Sequence, residues 1–375
     1  MKHGIYIISE DHLEQFENSW FDGQQIDLVS TTYTLGMFDA AGITWAPGAG
    51  AQNTKQSLQK TFGESDRRLL TTYKFSGDPP SDYGPASRGD LSDRYRSFAK
   101  ELVSLGLEDT IITPNHEFNL SWSKRYPSDP QNYADGYARL VSAMQSVDGA
   151  NFTFCFAPSS NRQGIAPEAW PVDSQHWPSG EDPPIVTPSV YDNSNSIYPD
   201  DPDKVTDEQR KEVWNDHHEP VLEMWNTFAN ERNSDMGFRE WGMASDAYKH
   251  NGGIDNPIFI DRFFDWIESH DVAFQTYWNG GIDNPKHTIW PRDKSRLPEG
   301  SKRWQERVAA TLETDSGTDD TTDGSTDTNA LGGSSTAAPG AATLSRTRSL
   351  NCQSTAGGTT THESGVMNHI KNQPP

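Results

Sequence analysis

TPNHEFNLSWSKRYP (residues 113–127) and MGFREWGMAS (236–245) each deliver a glutamate, Glu117 or Glu240, at the close of a short β-prone run and pass straight into a loop. Working outward, runs of the same β-branched and aromatic kind recur at 4–9, 27–33, 68–74, 109–115, 151–157, 184–191, 237–241 and 272–278, which makes eight candidate strands. Between them, 91–106, 133–147, 207–230 and 257–270 carry apolar residues at three- and four-residue spacing, as in Phe259, Phe263, Trp266 and Ile267. Strand and helix alternate, and alternation requires a parallel sheet with right-handed crossovers. Eight repeats over about 300 residues predict a closed (β/α)₈ barrel rather than an open sheet, and no Gly-rich phosphate loop follows the first strand.

Composition narrows the partners. Asp and Glu outnumber Lys and Arg by 54 to 31, a net charge of −23, so phosphate backbones and anionic membranes are repelled; neither nucleic acid nor membrane is an expected partner. The excess is spread along the chain, as on the surfaces of proteins from salt-loving archaea. Aromatics reach 11%, with 12 Trp, which leaves indole faces for carbohydrate stacking beyond what the core needs. Cys155 lies in an apolar run and Cys352 in the distal tail, a pair unsuited to a disulfide framework or a thiolate metal site. The opening MKHGIYIIS has no segment of signal-peptide length, and no later run reaches about 18 apolar residues.

From about residue 312 the character changes. Thr314 to Thr328 reads TDSGTDDTTDGSTDT, an acidic linker that cannot bury enough apolar surface to fold, and 329–375 is Gly, Ser, Thr and Ala rich with Glu363 as its one acidic side chain. The expected organisation is a barrel over 1–311 and a disordered tail over 312–375. The heptapeptide NGGIDNP occurs at 251–257 and again at 279–285, after the seventh and eighth candidate strands; Asn-Gly-Gly turns tightly and Asp-Asn-Pro caps a following helix. A turn-and-cap role outweighs calcium binding.

Chemistry enters through the strand ends. In a (β/α)₈ barrel the C-terminal ends of the strands converge on one cleft, so carboxylates closing the fourth and seventh strands face each other there. One protonated and one ionised carboxyl across a glycosidic bond is what glycoside hydrolysis needs. A neighbouring Glu240 charge, or partial desolvation, would hold the proton on Glu117. The competitors are weaker: Asp216-His217-His218-Glu219 lacks the i, i+4 histidine pair of zinc helices, and no G-x-S-x-G elbow follows a strand. No cofactor or metal is called for.

HEFN with Trp122 following, and EWG after a short strand, resemble the acid/base and nucleophile motifs of glycoside hydrolase family 26, beta-mannanase-like members of the large clan of barrels with carboxylates on strands four and seven. The resemblance spans most of 3–300 and includes the opening Gly-Ile-Tyr and the DNPIFIDRFFDWI segment. It implies Glu117 as acid/base, Glu240 as nucleophile, His116 as an orienting residue, and Tyr191, at the end of the sixth candidate strand, as a phenol on the nucleophile. It also implies Trp278, ending the eighth, as a floor under the sugar. Trp45, Trp122, Trp170 and Trp241 are further stacking candidates, and Asn119 a candidate for a sugar hydroxyl. After Trp122 the family's aromatic continuation is replaced by Ser123, Lys124 and Arg125. The implied activity is endo-acting retaining hydrolysis of β-1,4-mannan, with β-1,3-xylan, mixed-linked β-glucan or sugar binding without cleavage as alternatives. Retention would place the carboxyls about 5–5.5 Å apart. A polysaccharide substrate and an acidic linker suit an extracellular monomer.

Overall fold

The computed structural model describes residues 1–32, 43, 45, 51–160, 166–193, 198, 199, 201, 204–244, 252–280 and 287–316. The linker and tail beyond 316, Cys352 and most of the second NGGIDNP copy lie outside the described residues. In chain order the strands are β1 (Lys2–Tyr6), β2 (Leu28–Thr31), β3 (Arg68–Tyr73), β4 (Ile111–Pro114), β5 (Thr153–Phe156), β6 (Ile185–Val186), β7 (Val190–Asp192), β8 (Met236–Met243) and β9 (Val272–Tyr277). All pair in parallel, and β9 returns to β1 with Lys2 opposite Phe274 and Ile5 opposite Tyr277, so the sheet closes into the expected eight-position barrel.

Among the described residues nine strands fill eight positions because the sixth is broken. The run 184–191 pairs β8 twice, Val186 with Met236 and Val190 with Trp241, and the chain between carries Pro188, which has no N–H for a ladder. The helices among the described residues are α1 (Glu10–Trp20), α2 (Ala51–Leu58), α3 (Gly84–Arg88), α4 (Ser92–Ser104), α5 (Pro130–Gln145), α6 (Asp207–Val213), α7 (Glu219–Asn230), α8 (Pro257–Ser269) and α9 (Pro298–Ser316). The single helix expected over 207–230 is α6 and α7 joined through a π-turn at Trp214–His218, just before Pro220, whose missing N–H cannot close the ordinary i→i−4 bond.

Inside the barrel, Leu28, Leu70, Ile111, Cys155 and Phe274 form an apolar layer contributed by five strands. Burial pushes the Cys155 thiol up to about 12, so it behaves as a small core residue. Gly4 leaves β1 room to close the barrel: a Cβ there would come within 2.6 Å of Thr276 and 2.7 Å of Leu28. Outside, helix faces and outward strand residues make the larger core, with Phe259, Phe263, Phe264 and Trp266 of α8 against β8. The closed sheet leaves its C-terminal mouth as the place where β4, β7, β8 and β9 end together.

Candidate active site

Glu117 is set by a backbone that leaves β4 abruptly. Asn115 and Glu117 both take left-handed φ values, 48° and 52°, uncommon for non-glycine residues and of the kind found where a side chain must be aimed. The neighbouring strands secure the kink: Asn115 N donates to Tyr73 O at 3.1 Å and Glu117 N to Ala157 O at 2.7 Å. Asn115 Nδ2 donates to the Tyr83 hydroxyl at 3.1 Å, and that hydroxyl donates to Arg125 O at 2.7 Å, tying the loop after Glu117 to the loop after β3. Phe118 turns into the core and stacks on Tyr133. Burial, and then the Glu240 charge, push the Glu117 carboxyl up to about 7.

Glu240 is delivered by an irregularity in β8. Phe238 and Trp241 both point outward, meeting Phe263 at 4.8 Å and 3.8 Å, although residues three apart should lie on opposite faces of a strand. The β8–β9 register shifts on either side of Phe238, and the extra residue places two consecutive side chains, Arg239 and Glu240, inside the barrel. Both Glu240 oxygens are held: the Tyr191 hydroxyl donates to Oε1 at 2.5 Å, and Arg239 Nη1 forms an ion pair with Oε2. Burial and the Glu240 charge push the Tyr191 phenol well up, so it stays a donor. Tyr191 also packs on His287, at 4.8 Å between ring centres.

The remaining predicted residues divide. His116 stands beside the pair, with Nε2 3.4 Å from Arg125 Nη1, and burial followed by the Arg239 and Arg125 charges holds its imidazole well below the ordinary range, hence neutral. Trp278 follows β9 at the mouth and packs on Tyr6 at 4.0 Å. Trp122 stands 77% exposed on the loop beyond Glu117. Four expectations of sugar contact are corrected. Trp45 is buried, its Nε1 on Ser57 and its ring against Phe62. Trp241 is buried between β8 and α8, with Nε1 donating to Gln275. Asn119 is fully buried and spends both ends of its amide on the Ser159 backbone, accepting at 2.7 Å and donating at 3.3 Å. Trp170 likewise packs between Phe156 and Phe228. In the Asp216–Glu219 run, His218 turns inward to Asp192 Oδ1 at 3.3 Å.

Sequence reading missed Arg239, because strand alternation puts the residue before an inward Glu on the outside. It also missed Tyr6, whose ring lies on Trp278 and whose phenol, raised by burial, senses both Arg239 and Glu240.

Fold and site together define a (β/α)₈ barrel with a carboxyl pair, one member raised to about 7, at its C-terminal mouth. Among solved structures the chain is similar to a GH26 beta-mannanase from Bacteroides ovatus, with TM-score 0.51, 10% identity, and 83% of this chain and 87% of that one covered. It is similar also to a GH5-4 broad specificity endoglucanase from Ruminococcus flavefaciens, at 0.54 and 11% with coverage of 83% and 96%. The endoglucanase of the same kind from Clostridium acetobutylicum gives 0.53 and 12%, with 82% and 97% covered. At these identities the likeness is one of fold. No family model and no curated protein sequence matches the chain.

Proposed function

We propose that the chain is a retaining, endo-acting glycoside hydrolase of β-linked polysaccharide, with Glu117 as acid/base and Glu240 as nucleophile. The observation that carries this reading is the asymmetry of the pair. Glu117 is pushed up to about 7, so it holds a proton to give near neutrality, whereas Glu240 accepts from Tyr191 and Arg239 and presents a fixed carboxylate. Glu117 would protonate the glycosidic oxygen while Glu240 attacks the anomeric carbon; Glu117 would then take a proton from the water that releases the sugar. Trp278, packed on Tyr6 just after β9, and exposed Trp122 on the loop beyond Glu117 would offer apolar faces to sugars.

For the substrate, β-1,4-mannan leads, supported by the HEFN and EWG motifs and by a fold shared with a beta-mannanase. Fold-mates named as endoglucanases keep mixed-linked β-glucan in view, with β-1,3-xylan behind. An extracellular monomer acting on polymer, with an acidic surface suited to high salt, completes the reading. The test is reducing-sugar release from the three polysaccharides with Glu240→Gln alongside, and proton NMR of the first anomer formed. Mannan cleavage with retention that vanishes in the variant supports the whole reading. Silence on all three would leave a sugar-binding barrel, and Glu240→Gln should then bind glycan as well as the native chain does.

A further inference from the structure

The outer wall of the barrel carries a second concave site, away from the carboxyl pair. Between α4 and α5, the helices before and after β4, lies a cavity of about 270 Å³ bordered by Ser92, Arg96, Arg139, Ser142, Ser146 and His176. Each helix contributes one stripe: Ser92 and Arg96 stand four apart on α4, and Arg139, Ser142 and Ser146 follow α5 at spacings of three and four, which align side chains on one face. His176 reaches in from the chain after β5. Two guanidiniums, three hydroxyls and an imidazole line the cavity, and no carboxylate does among the described residues, in a chain where acids outnumber bases by 54 to 31.

Arg139 is the fixed point. Its Nε donates to Ser87 O at 2.6 Å and its Nη2 to His176 Nε2 at 3.0 Å. Asp135, one turn earlier on α5, is the carboxylate that helical spacing would offer it, but Asp135 Oδ1 accepts from Ser174 Oγ at 2.6 Å and Gln131 Nε2 at 2.9 Å. Among the described residues no carboxylate stands at ion-pair distance from Arg139, and its Nη1 has no hydrogen-bond partner. That nitrogen faces a corner beside Gly89, where an added Cβ would come within 3.3 Å of Nη1 and 3.5 Å of Ser92 Oγ. Gly89 ends α3 with φ 86°, so a residue that the turn requires also keeps the corner open. Arg96 pairs with Asp93, whose side chain is 96% exposed, in a surface contact of the weak, water-screened kind. An anion can draw on Arg96 without breaking a buried bond.

We propose that this cavity binds a tetrahedral oxyanion, a sulfate or phosphate group, held by Arg139 and Ser92 on one side and by Arg96 and Ser142 on the other. Hydrogen bonds from a guanidinium to an anionic oxygen are charge-assisted, and serine hydroxyls rotate to donate where an acceptor arrives. Arg139 is already held by two of its nitrogens, so it loses little side-chain freedom on binding. The net charge of −23 opposes the approach of any anion, but contacts at hydrogen-bond range decide whether it stays. A water takes about 30 Å³ of liquid, so the cavity has room for the group that carries the anion, such as a sugar ring, as well as for the anion itself. The inference goes beyond the hydrolase reading and does not depend on it.

The test is isothermal titration calorimetry of the full chain with sodium sulfate, potassium phosphate and glucose 6-sulfate, at matched ionic strength in about 0.15 M KCl. Sulfate also stabilises proteins by exclusion from their surface, so binding heat rather than a melting shift is the readout. At least one probe should bind once per chain with a dissociation constant on the order of 1 mM. Binding should weaken about tenfold or more in Arg139→Gln and about threefold or more in Arg96→Gln. Arg139→Lys, which keeps the charge and loses the planar fork, should remain weakened. Arg96 and Ser142 lie at the surface, so Arg96→Gln and Ser142→Ala keep the proposal open to test should Arg139→Gln not fold. Tighter binding of glucose 6-sulfate than of sulfate would support the site with an anionic sugar as its ligand, and the reverse order would support it with the free ion. No heat from any probe, or binding that both arginine variants leave unchanged, overturns the proposal. Glu240→Gln should bind these probes as the native chain does, so failure here and failure to cleave glycan are separate results.

Discussion

Glu117 sits where folding and function ask for opposite things. It occupies a left-handed backbone position and a desolvated pocket, and its carboxyl is pushed from an ordinary 4.5 up to about 7. In the proposed role of general acid it must hold its proton, so kcat/KM should fall as pH rises through about 7. For stability the sign follows from linkage: a folded value above the unfolded one means the folded state grips the proton more tightly. The contribution is present in full below the unfolded value and is lost as pH climbs from 4.5 towards 7, leaving a buried charge to be carried at alkaline pH. Glu117→Gln should therefore match the native protein in urea denaturation near pH 4.5 and exceed it by about 1–3 kcal/mol at about pH 8, the range allowing for partial solvent access. Equal stability at both pH values would mean the carboxyl is not raised. The two glutamates were legible in the sequence because each ends a β-prone run. Arg239 was not, and Trp241 was misplaced for the same reason: one extra residue in β8 reverses which side chains face the barrel interior and which face α8.

Between elements, the buried Asp192 is the joint that fixes the Glu240 side of the mouth. Its carboxylate accepts from Tyr198 Oη at 2.8 Å and from Asn256 Nδ2 at 2.7 Å, and it meets His218 of the π-turn at 3.3 Å. Asn256 in turn caps α8 by accepting from Phe259 N at 3.1 Å, so one carboxylate ties β7 to α8 and to the π-turn before α7. The turn joining them runs Gly252 to Asp255, with Gly253 N on Asp192 O and Ile254 held at φ 63°, a costly angle for a β-branched residue. The cap was legible in the first NGGIDNP copy from Asn-Pro alone. The carboxylate it leans on was not, since Asp192 is 64 residues away and reads as a loop residue. Asp192→Ala would leave three buried polar groups without their acceptor, and urea denaturation should show a loss of about 3 kcal/mol or more. Asp192→Asn, which keeps one acceptor oxygen, should lose less. Because Tyr191 is the adjacent residue in β7, the Ala variant should also slow turnover; an unchanged midpoint would show that the joint carries no weight.

At the scale of the molecule, a chain of net charge −23 sets two electrostatic effects against each other. Dispersed carboxylates repel, which favours any expanded state at low ionic strength. Against this, the last helix is laced to its neighbour by specific pairs: Arg303 reaches Asp261, and Arg307 reaches Asp265 at 2.9 Å and Glu268 at 2.8 Å. Exposed pairs of this kind each contribute about 0–1 kcal/mol and weaken with salt. Repulsion is summed over the whole surface, so screening should remove more cost than it removes benefit. The melting temperature is expected to rise steeply in KCl between about 10 mM and about 0.5 M, where the Debye length shrinks from about 30 Å to about 4 Å, and to flatten beyond. Sucrose at equal osmolarity separates this from solvent exclusion, because sucrose strengthens apolar burial without screening charge. A KCl rise that sucrose does not reproduce would assign the gain to charge. A melting temperature that falls in KCl would mean that the α8–α9 pairs outweigh the repulsion, and Arg307→Gln should then abolish much of the fall.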